Sequence, residues 1–408
     1  MKLEKNASAC MKALPFWMLP YTFYMYYLGL FLMEKGLSST QITLLMTVSN
    51  ATSLAFSFVA SPIVDKMGRK KSLLVFDLLS SSLPAAILLI SPRFIPAMIA
   101  MGMTGLNKVM STAYYLTMIE DTSDRNSIDA MNMFNIITVV AGVATPLAGM
   151  VVSKTGIEKG EELFLISAVV LMPLQAVIRH FNIDEPPTGQ EIKDSRTKFT
   201  LKNVIMSYKG TIRTFCKNKK LLAALFVNSL MYVYYNLCTT TSLLFTPYFA
   251  SFRKLEGVAL ASIGAVYSVG TLFSMLVINP HITRKNIYNY SFATGLVSMG
   301  GFAMIILCPI GNSFLLMIAV ILLAISYGVL KSTADAILAI ETNGEFGAGI
   351  YSFSFVVSSV FSILALQLID VLYIKSPNWL FGLSAIFVAI INLICLPNLN
   401  LKGSTENV

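Results

Sequence analysis

Apolar runs of about twenty residues, each closed off by polar or charged residues, recur along the whole chain, and that recurrence leaves few folds open to it. About twenty apolar residues in a helix cross the roughly 30 Å of hydrocarbon in a bilayer, where every backbone N–H and C=O must be satisfied within the segment. Twelve runs can be placed, at 13–33, 41–61, 72–90, 96–119, 130–152, 161–181, 221–249, 257–279, 287–308, 313–338, 349–371 and 379–397. Composition agrees: 12% of residues are charged, against about a quarter in a soluble domain. The sequence predicts an all-α membrane protein of twelve transmembrane helices, with the lipid bilayer as its solvent.

A formal charge of +9 invites nucleic acid as a partner, but the positions of the cations argue against it. With a cytoplasmic N-terminus, Lys2, Lys5, Lys12, Lys66, Arg69, Lys70, Lys71, Arg125, Arg284, Lys285, Lys402 and the basic segment from Arg179 to Lys220 share one face. The other face holds only Lys35, Arg93, Lys154, Lys159, Arg253, Lys254 and Lys375. This asymmetry is the positive-inside pattern of a multi-pass cell-membrane protein, and an even number of spans returns the C-terminus to the cytoplasm. The first run is long enough to span and lacks a small-residue cleavage site, so it is expected to be retained. Cysteines are scattered without ligand spacing, and His180 and His281 both fall at span ends. Neither a metal nor any other cofactor is implied. No stripe unites nucleophile, base and oxyanion donor, so an enzyme is not expected.

Between residues 182 and 220 the composition turns polar and basic, which divides the chain into a first half, 1–181, a linker, 182–220, and a second half, 221–408. Within the linker Leu201, Val204, Ile205, Tyr208, Ile212 and Phe215 recur at helical spacing among lysines and arginines, the pattern of an amphipathic helix on the membrane surface, with a solvated linker helix free of lipid as the open alternative. Two short repeats relate each half to the other. Tyr24-Met-Tyr26-Tyr27 in the first span matches Tyr232-Val-Tyr234-Tyr235 in the seventh. Gly105-Leu-Asn-Lys108 in the fourth, followed by Ser111-Thr-Ala, matches Gly328-Val-Leu-Lys331-Ser-Thr-Ala in the tenth.

After the second span the chain reads Ser61-Pro-Ile-Val-Asp65-Lys66-Met-Gly68-Arg69-Lys70-Lys71. This resembles the loop motif of the major facilitator superfamily, Gly-x-x-x-Asp-(Arg/Lys)-x-Gly-Arg-(Arg/Lys), with Ser61 where the family has glycine. The resemblance extends to the layout of twelve spans, a basic central linker and two cytoplasmic ends. Glu120-Asp121-Thr-Ser-Asp-Arg125 after the fourth span is similar to a second family element. Gly142-Val-Ala-Thr145-Pro146-Leu-Ala-Gly149 in the fifth looks like a degraded family motif often associated with exporters. The resemblance implies a secondary transporter working by alternating access. It further implies a cytoplasmic latch made by Asp65, Gly68 and Arg69 with Glu120 or Asp121 and Arg125. From the residues alone, Gly68 permits a tight turn and Asp65 can pair with Arg69 at the membrane edge; a purely topological role for the cations stays open.

Lys108 and Lys331 fall near the middle of apolar runs, where each costs about 2.5 to 3.5 kcal/mol on insertion. Such ammonium groups need water or a counter-ion, and so should border a cavity. Helical spacing places Thr104, Lys108, Ser111 and Tyr115 on one face of the fourth span, and Asn228, Tyr232, Tyr235 and Thr239 on one face of the seventh. It likewise aligns Tyr327, Lys331 and Asp335 in the tenth, and Tyr21, Tyr24, Tyr27 and Phe31 in the first. These are the four spans that line the central cavity in the resembling superfamily. The expected substrate site therefore comprises Lys108, Lys331, Tyr24, Tyr27, Tyr232, Tyr235, Asn228 and Ser111. It would take a small-molecule solute, with an organic anion favoured by the lysines. Asp335 is the candidate proton carrier, protons being the expected coupling ion, although pairing between Lys331 and Asp335 would neutralise both. Asp77 is expected to partner Lys70 or Lys71. The protein is expected to act as a monomer. Two alternatives stay open: a proton-linked exporter of amphipathic or cationic compounds, and a sensor or scaffold that no longer cycles.

Overall fold

The computed structural model describes residues 3–119, 124–187, 190, 218–341 and 347–398, and regular structure among them is helical throughout. Every predicted run is mainly helical, although residues 239–244, inside the run placed at 221–249, form turns that end the seventh helix at Cys238. The first span is Lys5–Glu34; the second is broken into Ser39–Ser57 and Ala60–Met67, bent by 57°. The third is Arg69–Ile90, with a π-helical turn at Leu78–Ser82, and the fourth is Phe94–Thr104 followed by Asn107–Ile119. The fifth is Asp124–Val143 and Thr145–Thr155, the sixth Ile157–Asn182, and the seventh Lys219–Cys238 with a further short helix at Phe245–Pro247. Gly257–His281, Ile287–Leu307, Ser313–Glu341, Gly347–Lys375 and Trp379–Cys395 complete the set. Eight of these helices are long and apolar enough to cross a bilayer unaided, and the bent second span makes nine. The remaining passes are short, broken or rich in polar side chains.

Helices before residue 182 pack mainly on one another, led by the first span lying along the sixth. Those after residue 219 do the same, with the tenth wedged between the eighth and ninth and the seventh against the eleventh and twelfth. Two seams join these groups: the second span against the eleventh, and the fifth against the eighth. Helices in lipid associate through close van der Waals packing more than through exclusion of water, so small residues belong at such seams. A methyl group at Gly149 would stand 2.2 Å from Cβ of Ala261, so only glycine fits there. Thr145 donates across the same seam to the carbonyl of Ala261 at 3.2 Å. Gly149 and Thr145 of the Gly142-to-Gly149 stretch thus pack at this seam.

The loop between spans one and two, residues 35–38, marks one end of the bundle, called here the far end. At the opposite end, the linker end, lie Lys5, the Asp65–Lys70 loop and Asp184. Towards the far end, hydrogen bonds tie the two groups of helices together. Tyr26 donates its hydroxyl to the carbonyl of Leu260 at 2.6 Å, and Thr246 donates to the carbonyl of Tyr26 at 2.5 Å. The expected amphipathic helix at 201–217 lies outside the described residues.

Asp77 does not partner Lys70 or Lys71. It is 1% exposed and accepts from Arg179 at 2.7 Å and Gln175 at 2.6 Å, both on the sixth span. The third span turns Asp77 inward, beyond the reach of the loop lysines, and Arg179 is the cation that shares its burial. Arg253, 3% exposed, is spent on structure as well: it donates to the carbonyls of Ile305, Ile306 and Cys308 at the C-terminal end of the ninth span, where a cation is favoured by the helix dipole.

Candidate functional site

Between the two groups of helices lies a cavity of about 490 Å³. The first span contributes Trp17, Tyr21, Met25 and Tyr26; the second Ser49 and Asn50; the fourth Thr104, Asn107 and Lys108; the seventh Tyr232, Tyr235 and Asn236. Trp17 and Tyr21 stack with ring centroids 4.6 Å apart and interplanar angle 13°, forming an aromatic wall. Across the cavity Asn50 donates to Asn236 at 3.2 Å, and the Tyr232 hydroxyl approaches the Asn50 carbonyl oxygen at 3.5 Å. Ser49 and Thr104 share a hydrogen bond of 2.7 Å. This lining offers hydroxyls, amides, ring faces and one ammonium group to anything that enters.

That ammonium belongs to Lys108. The fourth span is interrupted just before it: Gly105, Leu106 and Lys108 donate their N–H groups to carbonyls three residues back, a tighter turn than an α-helix. The break turns Lys108 and Asn107 into the cavity while Ser111 and Tyr115 face a neighbouring cavity of about 210 Å³. A continuous helical stripe from Thr104 to Tyr115 is therefore split between two spaces. Lys108 Nζ lies 3.8 Å from the ring centroid of Phe355 on the eleventh span, a cation–π contact that bridges the two groups of helices. Among the described residues no carboxylate lies within ion-pair distance of it.

Lys331 stands differently. It forms an ion pair with Asp335 one turn along the same span, and Asp335 also accepts from Asn228 Nδ2 at 3.0 Å. None of Lys331, Asp335 and Asn228 lines the larger cavity. The two lysines thus do not converge on it. Tyr24 and Tyr27 also stand outside it: they are 2% and 0% exposed, and the Tyr27 ring stacks on Phe164 of the sixth span. The first span turns the 17–21–25 face to the cavity and leaves the tyrosines at 24 and 27 against its neighbour, because the Trp17–Tyr21 stack occupies the open side. Tyr232 and Tyr235 of the expected set do line the space.

At the linker end the loop motif is assembled around a residue that the sequence reading passed over. Arg69, 1% exposed, donates to Asp65 at 3.0 Å, and Ser61, standing where the family has glycine, donates its hydroxyl to the same carboxylate at 3.2 Å. Glu185, just past the sixth span, accepts from the backbone N–H of Arg69 at 2.5 Å and of Lys70 at 2.8 Å. A carboxylate at a helix N-terminus satisfies orphan donors and meets the positive end of the dipole. Gly68 adopts φ 87° and ψ 155°, backbone that is nearly glycine's alone, and an added Cβ would stand 3.0 Å from a Glu185 oxygen. Lys5 and Asn6 hold the adjoining Asp184, the lysine at 2.5 Å. Glu120 and Asp121 lie outside the described residues, as does the side chain of Arg125.

The major facilitator superfamily model matches residues 13–342. This chain belongs to that superfamily. No curated protein matches it. Among solved structures, a point mutant of the nucleoside transporter NupG superposes with TM-score 0.74 at 9% identity, covering 96% of this chain and 99% of that one. A bacterial homologue of the iron transporter ferroportin in an inward-facing state gives 0.67 at 12%, covering 97% and 99%. A bacterial metal transporter gives 0.66 at 11% with the same coverage. At such identities the likeness concerns the fold. Superfamily membership makes the chain a membrane transport protein.

Asn50, Asn236, Asn107, Trp17 and Glu185 were missed by pattern reading. The asparagines had a signal, since an amide inside an apolar run needs an internal partner. Glu185 had none, because its partners are backbone N–H groups more than a hundred residues away.

Proposed function

We propose that this superfamily transporter moves a small organic solute by alternating access, that the solute carries an anionic group, and that Lys108 contacts that group. One observation carries the reading: an ammonium in a roughly 490 Å³ chamber, with no carboxylate partner among the described residues and only the face of Phe355 beneath it. A carboxylate or phosphate arriving there gains a charge-assisted hydrogen bond without displacing an internal one. The amides of Asn50 and Asn236 and the Trp17–Tyr21 wall would take the uncharged remainder of the solute.

The rocking bodies are residues 1–181 and 221–408, joined by 182–220, with both termini in the cytoplasm of a cell-membrane monomer. The start of the linker rides with the first body, since Ile183 is buried there and Asp184 and Glu185 are hydrogen-bonded to it. In that orientation the far end is external and the loop motif, with Glu185 in its grip, is cytoplasmic. Proton coupling through Asp335 is part of the reading; the Lys331 pair would break and re-form as the carboxylate changes its proton. The aromatic lining favours a second reading, export of an amphipathic cation, for which Lys108, with no carboxylate partner among the described residues, is an obstacle.

A thermal-shift screen of purified protein against metabolite anions and lipophilic cations separates the two, because a ligand that prefers the folded state raises its melting temperature. Anion stabilisation lost in K108Q supports the first reading; cation stabilisation retained in K108Q supports the second. Solute flux in liposomes tests transport itself, and a protein that binds without flux is the sensor or scaffold.

A further inference from the structure

The inner face of the sixth span reads Glu161, Phe164, Leu165, Ala168, Met172, all buried at helical spacing against the first span. Four are apolar, as a helix–helix contact in lipid requires; the first is a carboxylic acid. Glu161 is 0% exposed, and neither of its oxygens has a hydrogen-bond partner among the described residues. Its sequence neighbours Glu158 and Glu162 face outward, half exposed, and share Lys35. An ionised carboxylate buried with no donor and no cation is a costly species, and an ionisable residue kept within a membrane span marks function more often than packing.

What faces Glu161 can be named. From the first span come the phenols of Tyr24 and Tyr27, its electrostatic neighbours, with Glu34 and Lys35 beyond them at the helix end. The packed part of the third span, Leu83–Ile90, has no titratable side chain. The second half of the fifth span, Thr145–Thr155, brings Lys154, which is exposed. The Tyr27 hydroxyl also lacks a partner among the described residues, and it stands 3.5 Å from where a Cβ on Gly149 would be, beside the Gly149–Ala261 contact. The acid is thus separated by one phenol from the seam towards the far end, next to the Tyr26–Leu260 hydrogen bond. Parting of that seam would expose Tyr27 first and Glu161 behind it.

We propose that Glu161 is a proton-binding site tied to the far-end seam, holding its proton while the far end is closed and releasing it to water when that end opens. The inference rests on the alternating-access reading given above. The closed form then takes up a proton that the open form gives up, so closure is favoured at low pH and opening at high pH.

The test uses the full-length protein in nanodiscs, with spin labels on cysteines introduced at Lys154 and Glu256, both exposed and flanking the Ser153–Gly257 contact across the seam. Wild type is expected to show one short distance at acid pH and a growing long-distance population as pH rises. E161Q, a neutral isostere, should keep the short distance at every pH, and E161D should retain the response with a displaced midpoint. Opening of E161Q with the wild-type pH dependence overturns the proposal, as does a wild type whose distances ignore pH. If E161Q does not fold, E161D and Y27F decide: displaced midpoints support the site and an unchanged midpoint in either overturns it. Solute flux in liposomes is measured alongside. Absent flux with titrating distances removes the transport reading and leaves the site; flux with distances insensitive to pH removes the site alone.

Discussion

Lys108 in the fourth span and Lys331 in the tenth occupy matching places in a repeated Gly-x-x-Lys pattern, six spans apart. Lys331 is answered within its own helix by Asp335, which Asn228 steadies from the seventh span. Lys108 is answered by an aromatic face from the other group of helices and borders the central cavity. The repeat thus preserved a cation at both sites while giving them different electrostatics. An internal pair leaves little net charge for a ligand, whereas a cation over a ring keeps most of its charge available.

Charge substitutions break this comparison most directly. K108Q is expected to weaken binding of a stabilising anion by about 10- to 100-fold, the value of a charge-assisted hydrogen bond, as read by titration calorimetry. K331Q should weaken it by less than about 3-fold, because that lysine is already neutralised; equal losses in both variants would merge the two sites again. D335N leaves Lys331 without its partner and should lower stability by about 1–2 kcal/mol. That is below the loss for a fully buried pair, since both side chains are 39% exposed. The double variant K331Q/D335N should recover most of the lost melting temperature, and failure to recover would mean that the pair does more than cancel charge. F355L removes the ring under Lys108 and should cost about 0.5–1 kcal/mol in stability, measured by chemical unfolding in detergent.

The smallest effect tests the anchoring of the linker. The hydrogen bond from Lys5 holds the Asp184 carboxyl below the usual carboxylate range. A carboxyl so depressed contributes above its unfolded value and loses that contribution as pH falls through the folded one. The melting-temperature gap between wild type and D184N should therefore be slight near neutrality and vanish in acid. A gap that grows on acidification would mean that Lys5 is not its partner.

Much of the fold was legible, since each of the twelve apolar runs is mainly helix and the loop motif from Asp65 to Arg69 formed its ion pair, although the seventh run is broken by turns at 239–244. The site was legible only in part. Lys108, Tyr232 and Tyr235 line the cavity as their spacing suggested, but Tyr24 and Tyr27 do not, and Ser111 faces another space. Periodicity assumes an unbroken helix, and the tight turn at Gly105–Leu106 reset the phase of the fourth span. On the first span, periodicity showed an aromatic stripe without showing which side of it would be open.

What the sequence determined by itself is the set of segments that cross the bilayer and the charges that each carries. Hydrophobic length and backbone satisfaction are local properties, and they leave a helix no choice in lipid. Which cation is paired, which acid is left alone, and which face of each helix borders water were decided only when the helices packed. Asp77 found Arg179 about a hundred residues away, Glu185 found two backbone amides, and Glu161 found no hydrogen-bond partner among the described residues. Electrostatic partners are chosen by distance in space, and distance in space is set by packing.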